Sequence, residues 1–233
     1  MGYYLIGHGA EAKIYVIYGE KQNNNFKFRI TKEIVEELDK DIVFDYSRER
    51  IILKYRYRKN YRHRIIDRNF RRYRTRREAK ILDRLSNKIN VPQVILVLEE
   101  LGILAMEYIE GSKLADILEK VDYLKIMEEV GKIVGIMHSM GVAHGDLTTS
   151  NLILSSNKVY LIDFGLSFFT KRIEDFAVDL HLLKEALESK HWKIYQEAFN
   201  SFLTGYKQTF DKFKEVIKRL EDIEKRGRYK NVS

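Results

Sequence analysis

Three oxygen-bearing side chains in the second half of the chain have the types and the spacing of a magnesium-dependent phosphoryl-transfer site. Asp146 and Asn151 stand five residues apart, and Asp163 follows Asn151 by twelve residues. Magnesium is a hard cation that prefers oxygen ligands, so Asn151 and Asp163 are predicted metal ligands. Asp146 is predicted to orient the attacking nucleophile or to receive its proton.

The elements around these residues must place them next to the end of a helix and the end of a strand. A core-facing apolar stripe predicts a helix over residues 122–140, and two apolar runs predict short strands at 152–154 and 159–162. Asp146 and Asn151 then lie on a loop after the helix, and Asp163 closes the second strand. This order and spacing are typical of the catalytic loop and the Asp-Phe-Gly segment of protein kinases.

Two charged residues further upstream fit the same pattern. Lys54 lies on the β-rich run 51–55, where a kinase places the lysine that contacts the α- and β-phosphates. Glu78 lies on a helix predicted over about 67–86, with apolar residues three and seven positions later, so its carboxylate should point inward and need a cation. We therefore predict a catalytic Lys54–Glu78 pair. There are two alternatives. Lys54 could be one more cation in a segment rich in Lys and Arg, and Glu78 could pair with Arg74 one turn earlier.

A glycine loop near the N-terminus is the atypical part of the pattern. Gly7-His8-Gly9-Ala10-Glu11-Ala12 lies between predicted strands at 3–6 and 13–18, and Ala12 stands where a kinase loop has its third glycine. Small residues still let the backbone approach a nucleotide, so Gly7, Gly9, Ala10, Glu11 and Ala12 are predicted cofactor contacts. Glu11 would bring a carboxylate close to the phosphates. An ordinary hairpin turn is the alternative for this segment.

The middle of the chain links two differently composed halves. A hairpin is predicted from the runs 94–98 and 103–106, and the segment from Glu107 to Gly111 is a natural hinge, in which Glu107 and Ile109 are predicted nucleotide contacts. We predict a sheet-rich lobe over residues 1–109 and a helical lobe over 110–233, with later helices at about 174–189, 192–206 and 210–225. Residues 20–50 are predicted to be an insertion. Within it, residues 31–40 have helical periodicity, and the alternatives are a helix and an irregular excursion.

Two further polar residues are expected to support the catalytic loop. His144 is predicted to prop the loop through hydrogen bonds, and the six histidines do not have the spacing of a metal site. Asp179 begins an apolar helix and either braces the loop or is a helix-start carboxylate.

The basic residues of the chain are concentrated in one segment. Lys and Arg number 42 against 34 Asp and Glu, and the window 54–77 holds twelve of these cations with Asp67 as its only acid. Aromatic residues alternate with the cations, which suits a nucleic-acid backbone and unstacked bases, although a solvated helix face is the alternative. Arg68, Arg72 and Arg76 are predicted to form one outward stripe. A second basic cluster is formed by Lys225, Arg226, Arg228 and Lys230.

The composition excludes several classes of protein. The 233 residues include no cysteine, which excludes disulfide scaffolds, thiol nucleophiles and Cys-ligated metals. No apolar run reaches the roughly 18 residues that a membrane span needs. No signal peptide is evident, so we expect a soluble cytoplasmic protein without a membrane partner.

Taken together, these motifs resemble the small atypical kinases of the KEOPS complex, also called PRPK-type. The resemblance spans nearly the whole chain except residues 20–50, and it includes Gly9-Ala10-Glu11-Ala12, the run from Lys54 to His63, Arg74-Thr75-Arg76-Arg77-Glu78-Ala79, the segment from His144 to Asn151, Ile162-Asp163-Phe164-Gly165-Leu166-Ser167, the segment from Glu174 to Leu180, and the tail Arg226-Gly227-Arg228.

The resemblance implies a fold and an activity. The fold would be α+β and protein-kinase-like, with two lobes, a small sheet-rich one and a reduced helical one. The activity would be that of a serine/threonine kinase or ATPase that uses ATP and Mg²⁺, autophosphorylates, and works with a threonylcarbamoyl-transferase subunit, other KEOPS subunits and tRNA.

Only 15 residues lie between Gly165 and His181, which is too few for a conventional activation segment and favours ATP hydrolysis coupled to a partner. The alternatives are a RIO-type kinase, a small-molecule phosphotransferase of the aminoglycoside or choline kinase kind, and a tRNA-binding scaffold with a vestigial kinase fold.

Overall fold

The computed structural model describes residues 2–9 and 11–230 and divides the chain into two compact units. One unit comprises the chain up to Asp83 together with Pro92–Tyr108. The other comprises Arg84–Val91 and the chain from Ile109 onward. The predicted lobe boundary after residue 109 stays a prediction.

The first unit is built on an antiparallel five-stranded sheet. Its elements are β1 (Tyr3–His8), β2 (Lys13–Tyr18), β3 (Glu20–Gln22), β4 (Asn25–Ile30), β5 (Ile42–Tyr46), β6 (Arg50–Tyr55), α1 (Arg64–Leu85), β7 (Val94–Leu98) and β8 (Ile103–Glu107). The large sheet has the order β1-β2-β6-β8-β7. The helix α1 begins three residues before the helix predicted over about 67–86 and ends one residue before it. Alternation along β6 sends Leu53 and Tyr55 to one face and Lys54 to the other.

The segment between β2 and β6 forms a second layer rather than an appendage. Strands β3, β4 and β5 make their own antiparallel sheet, and Phe28 stacks on Phe44 across β4 and β5. Of the two interpretations of residues 31–40, the helix does not form, because this segment consists of turns and bends. The periodic apolar residues Ile34, Val35 and Leu38 are nevertheless buried, in one core cluster with residues of β2, β6 and β8. Packing on the sheet decides the backbone of so short a segment.

The second unit is mainly helical. Its elements are β9 (Ser112–Lys113), α2 (Leu114–Ile117), α3 (Tyr123–Ser139), β10 (Val142–Ala143), β11 (Leu152–Ser155), β12 (Lys158–Leu161), β13 (Phe168–Phe169), α4 (Ile173–Lys190), α5 (Tyr195–Thr209) and α6 (Phe213–Lys230). Strand β11 pairs with both β12 and β9, and β10 pairs with β13. The helix predicted from residue 192 begins at Tyr195, because His191–Ile194 form a turn in which the Ile194 amide binds the His191 carbonyl.

The core of the second unit lies between α3, α4 and α5. Val130, Val134 and Met137 of α3 are buried, as the apolar stripe predicted, and Phe202 and Tyr206 of α5 are buried with them. Across the described residues, no helix is both long enough and apolar enough to cross a membrane.

Candidate active site

The glycine loop of the first unit is closed by its own backbone. Gly7 lies in β1, next to a register shift against β2, and the Gly9 amide donates to the Ala12 carbonyl at 3.0 Å. Ala12 is buried, which agrees with the small side chain at that position. Ala10, a predicted cofactor contact, lies outside the described residues.

The carboxylate of Glu11 is bound by two arginines. Arg74 Nη1 lies 2.7 Å from Glu11 Oε2, and Arg62 Nη2 lies 3.4 Å from Oε1. The alternative pairing of Arg74 with Glu78 is therefore not what the structure shows. The two guanidinium groups therefore neutralise the carboxylate that lies next to the glycine loop.

Lys54 and Glu78 form the predicted ion pair. Lys54 Nζ donates to Glu78 Oε1 at 2.9 Å, and both side chains are buried. Sequence reasoning missed a second cation, Arg56, whose guanidinium binds the other carboxylate oxygen of Glu78. The signal was present, because residues 54 and 56 of an extended chain share one face. In a window with so many cations, that signal could not be distinguished from the rest.

Glu107 and Ile109, the two predicted nucleotide contacts in the hinge, both have buried side chains. Glu107 is buried, accepts a hydrogen bond from the Gln93 amide at 3.2 Å, and forms an ion pair with Arg48. The Ile109 side chain, which belongs to the second unit, is also buried. A nucleotide contact from Glu107 would therefore have to use its main chain.

In the second unit, the catalytic loop holds Asp146 and Asn151 together. Asn151 Nδ2 donates to Asp146 Oδ2 at 2.9 Å and to the Asp146 carbonyl at 2.8 Å. The Ile162 amide donates to the Asn151 carbonyl at 3.0 Å, which ties the loop to the segment that leads into Asp163. The five-residue spacing thus brings the two side chains into contact, as the motif requires.

Asp179 braces this loop from α4. Its carboxylate accepts hydrogen bonds from the backbone amides of His144 at 2.6 Å and Gly145 at 2.8 Å, and it lies 3.1 Å from His138 Nε2. The bracing interpretation is therefore confirmed, and the helix-start interpretation is wrong because Asp179 lies inside α4. Gly145 adopts φ 78°, and a Cβ atom there would lie 2.8 Å from the Leu166 carbonyl oxygen, so the loop needs glycine.

His144 supports the loop as a neutral ring. Its Nε2 lies 3.1 Å from the Ile162 carbonyl, and its Nδ1 accepts a hydrogen bond from the Asp146 amide at 3.3 Å. One ring nitrogen then donates and the other accepts, which is the pattern of neutral imidazole. Burial lowers the pKa of His144, which favours that form. The predicted role as a hydrogen-bonding prop is confirmed.

Asp163 and Asn151 have the oxygen atoms that a magnesium ion prefers. Asp163 is exposed, adopts the left-handed conformation at φ 61°, and accepts a hydrogen bond from the Gly165 amide through Oδ1 at 3.3 Å. Both hydrogen bonds of the Asn151 side chain use Nδ2, so Oδ1 is available as a ligand. Within the described part of the chain, no group of three His, Cys, Asp or Glu side chains could hold a metal alone. An oxygen pair completed by phosphate and water oxygens is how Mg²⁺ is commonly bound.

In the folded protein, most of the cations in the basic window 54–77 are paired with acidic side chains. Eight of its twelve cations form ion pairs with acidic side chains in the described structure, namely Lys54, Arg56, Arg62, Arg68, Arg71, Arg72, Arg74 and Arg76. Arg68, Arg72 and Arg76 are exposed at the predicted spacing, but they bind Glu99 and Glu100 rather than forming a free stripe. The spacing of residues within α1 could not reveal that these arginines bind Glu99 and Glu100, which lie in the connection between β7 and β8.

Comparisons with known proteins agree with these motifs. A family model described as the RIO domain matches residues 14–176. The KEOPS complex subunit Bud32 of Pyrococcus abyssi is 43% identical, over 98% of this chain and 97% of that protein. The probable serine/threonine-protein kinase BUD32 homolog of Archaeoglobus fulgidus is 37% identical, over 78% of this chain and 89% of that protein.

A longer type of relative contains the same region. The probable bifunctional tRNA threonylcarbamoyladenosine biosynthesis protein of Methanosarcina acetivorans is 40% identical over 78% of this chain, but the match covers only 32% of that protein. The near-complete match to a protein of similar length and the RIO-domain match point to the same family. This chain therefore belongs to the RIO-domain family and, within it, to the Bud32 family of kinase-like proteins.

Proposed function

We propose that this protein is a Mg²⁺- and ATP-dependent serine/threonine kinase or ATPase that acts as a KEOPS subunit and supports threonylcarbamoyladenosine modification of tRNA. The observation that carries the proposal is the Asp146–Asn151 contact on a loop whose amides are bound by Asp179. A scaffold with a vestigial kinase fold would not need a carboxylate oriented in this way. The names of the relatives in Pyrococcus, Archaeoglobus and Methanosarcina supply the substrate class and the complex.

Each unit contributes a defined set of groups to the proposed chemistry. In the first unit, Lys54 contacts the phosphates while Glu78 orients its ammonium group, and the loop of Gly7, Gly9, Glu11 and Ala12 approaches the nucleotide with its backbone. In the second unit, Asp163 and Asn151 hold Mg²⁺, which when bound neutralises charge on the phosphates. Asp146 orients the attacking hydroxyl group or water and receives its proton. Glu107 and Ile109 contact the adenine through their main chains.

The short segment after Gly165 favours hydrolysis over phosphorylation of a docked peptide. Helix α4 begins at Ile173, eight residues after Gly165, and the only strand between them is the two-residue β13. A peptide-docking platform needs a longer segment. We therefore propose that ATP turnover depends on the transferase subunit and tRNA, and that autophosphorylation is secondary. Such a function belongs in the cytoplasm.

The proposed tRNA contact involves cations that the protein does not neutralise itself. Arg58 and Arg64 are exposed, and neither forms an ion pair in the described part of the chain, while Tyr61 beside them is also exposed. Cations that neutralise phosphates release counterions, so binding through them weakens steeply with salt. Arg68, Arg72 and Arg76 are weaker candidates than the sequence suggested, because contact with RNA would compete with Glu99 and Glu100.

The proposed function is tested by measuring ATP turnover by the protein alone, and then with the transferase subunit and tRNA. Asp163→Asn should abolish Mg²⁺-dependent turnover while the protein remains folded, because it removes a charged metal ligand. Retained turnover in that variant would contradict the assignment.

The tRNA contact is tested separately, by tRNA binding at two salt concentrations. Arg58→Glu/Arg64→Glu should weaken binding more than the matched double variant Arg68→Glu/Arg72→Glu. Equal losses in the two double variants would mean that net charge alone governs the binding.

A further inference from the structure

The buried carboxylate of Glu78 is bound by two cations that play different structural parts. Lys54 Nζ contacts Oε1 at 2.9 Å, and the Arg56 guanidinium contacts Oε2 through Nη2. The exposed fractions of the three side chains are 8% for Lys54, 2% for Arg56 and 1% for Glu78. One carboxylate oxygen thus faces each cation.

Arg56 is fixed in place by contacts that do not involve Glu78. Its Nη1 donates to Thr75 Oγ1 at 3.3 Å, one turn before Glu78 on α1, and its backbone amide donates to the Gly102 carbonyl at 2.9 Å. Its carbonyl accepts a hydrogen bond from Arg71 Nη1 at 3.3 Å. Arg56 is therefore held in place both through its planar guanidinium group and through its main chain. Lysine, by contrast, carries a compact charge on a flexible stem.

This difference matters when Lys54 approaches an anion. A lysine that turns toward a phosphate withdraws part of its charge from the carboxylate that holds it. A buried carboxylate left without a cation is strongly destabilising, because neither water nor a counter-charge replaces the lost contact. A second cation that stays on Glu78 removes that penalty, and it also keeps α1 attached to the end of β6.

We propose that Arg56 is the resident counter-ion of Glu78 and, through it, a positioning residue that frees Lys54 to contact an anionic ligand. The ligand part of this inference rests on the proposed use of ATP. Without Arg56, Glu78 would lose one of the two cations described above, and each phosphate contact of Lys54 would compete with a buried ion pair. Arg56 itself contacts Glu78 and Thr75 rather than the nucleotide.

The first test needs no nucleotide. Unfolding in urea is measured for Arg56→Met and Lys54→Met, which remove one cation each at similar volume. The folding equilibrium constant should fall about ten-fold further in Arg56→Met, because a fixed and fully buried cation is lost. An equal or larger fall in Lys54→Met would overturn the assignment of Arg56 as the resident counter-ion. If Arg56→Met does not fold, Arg56→Lys is compared with Lys54→Arg in the same way.

The second test measures binding of ATP and of adenosine, which lacks phosphates. In Arg56→Met, ATP affinity should fall about ten-fold while adenosine affinity stays the same, because only the phosphate contact of Lys54 is affected. Adding Glu78→Gln to Arg56→Met should restore ATP affinity, since the amide no longer holds Lys54. A merely structural role for Arg56 would instead lower affinity for both ligands, and the double variant would not recover.

A matched control separates this effect from general destabilisation. Ile30 is a buried core residue of β4 in the same unit. Ile30→Ala should lower stability and leave the ratio of ATP to adenosine affinity unchanged, and a changed ratio would contradict the proposal. If the unmodified protein does not bind ATP, the proposed function fails, while the urea comparison still decides the role of Arg56.

Discussion

The two units hold their predicted catalytic residues by different means. In the first unit, Lys54, Arg56 and Glu78 are long charged side chains that position one another through buried ion pairs. In the second unit, Asp146 and Asn151 are short side chains on a loop whose backbone is fixed by Asp179 and His144. The first arrangement depends on charge balance, and the second depends on backbone geometry. Substitutions should therefore affect folding and catalysis differently in the two units.

The largest expected effect is on turnover and comes from the second unit. Asp146→Asn keeps the shape of the side chain but removes its ability to receive a proton, so ATP turnover should fall by about 10²–10⁴-fold. Because backbone contacts hold the loop, the urea midpoint should change little. A large loss of stability with only a modest loss of turnover would contradict this difference between the units. ATP binding measured in parallel serves as the control.

The next effect is on stability and comes from the first unit. Glu78→Ala leaves the ammonium of Lys54 and the guanidinium of Arg56 buried without their shared carboxylate, which should lower the free energy of unfolding by about 3–5 kcal/mol. Urea denaturation measures this loss, and Glu100→Ala at the surface is the control.

A double-mutant cycle sharpens the same point. Lys54→Ala and Glu78→Ala should combine non-additively in turnover, with a coupling of about 0.5–3 kcal/mol, because each removes the same contact. Strictly multiplicative losses would show that the pair does not act as a unit.

A smaller, pH-dependent effect is expected from His144. Burial lowers the pKa of its imidazole in the folded protein below the ordinary value of 6.5. The unfolded chain therefore takes up a proton first as the pH falls. The contribution of this group to stability is complete above pH 6.5 and is lost as the pH falls below it, at no more than about 1.4 kcal/mol per pH unit.

The measurement is urea unfolding between pH 7.5 and 5, compared with His144→Gln, which cannot titrate in this range. The difference between the two proteins should change with pH in the stated direction. A constant difference would mean that His144 titrates normally when the protein is folded.

The smallest effect is expected from the ion pairs on the surface of α1. Arg72 lies 3.1 Å from Glu100, and both side chains are about half exposed. Arg72→Ala should lower the free energy of unfolding by less than about 1 kcal/mol, and the loss should shrink further in high salt. A loss as large as that of Glu78→Ala would show that burial does not separate the two kinds of ion pair.

The sequence predicts the second unit better than the first for a physical reason. The contact between Asp146 and Asn151 spans five residues, so its geometry is encoded in local spacing. The bond between Arg56 and Glu78 and the contacts of Arg68, Arg72 and Arg76 with Glu99 and Glu100 join segments that meet only after folding. Composition shows the excess of cations, but it cannot assign a partner to each one.

The turn segment at 31–40 shows a second limit of sequence patterns. The apolar residues Ile34, Val35 and Leu38 have the spacing of a helix and are buried, but the segment that carries them forms turns. Periodicity reports which side chains are buried. It does not report whether a short segment buries them as a helix or as consecutive turns.

The segment between β2 and β6 also determines how the first unit should unfold. The chain leaves and returns at one point, since Tyr18 pairs with Arg50 and the Gly19 amide binds the Glu49 carbonyl at 2.8 Å. An insertion of this kind could be expected to fray independently. However, Phe28 and Ile30 share one hydrophobic cluster with Ile17, Leu53 and Ala105 of the large sheet. Backbone amides of β4 should therefore exchange with deuterium together with those of β6, as one cooperative unfolding unit.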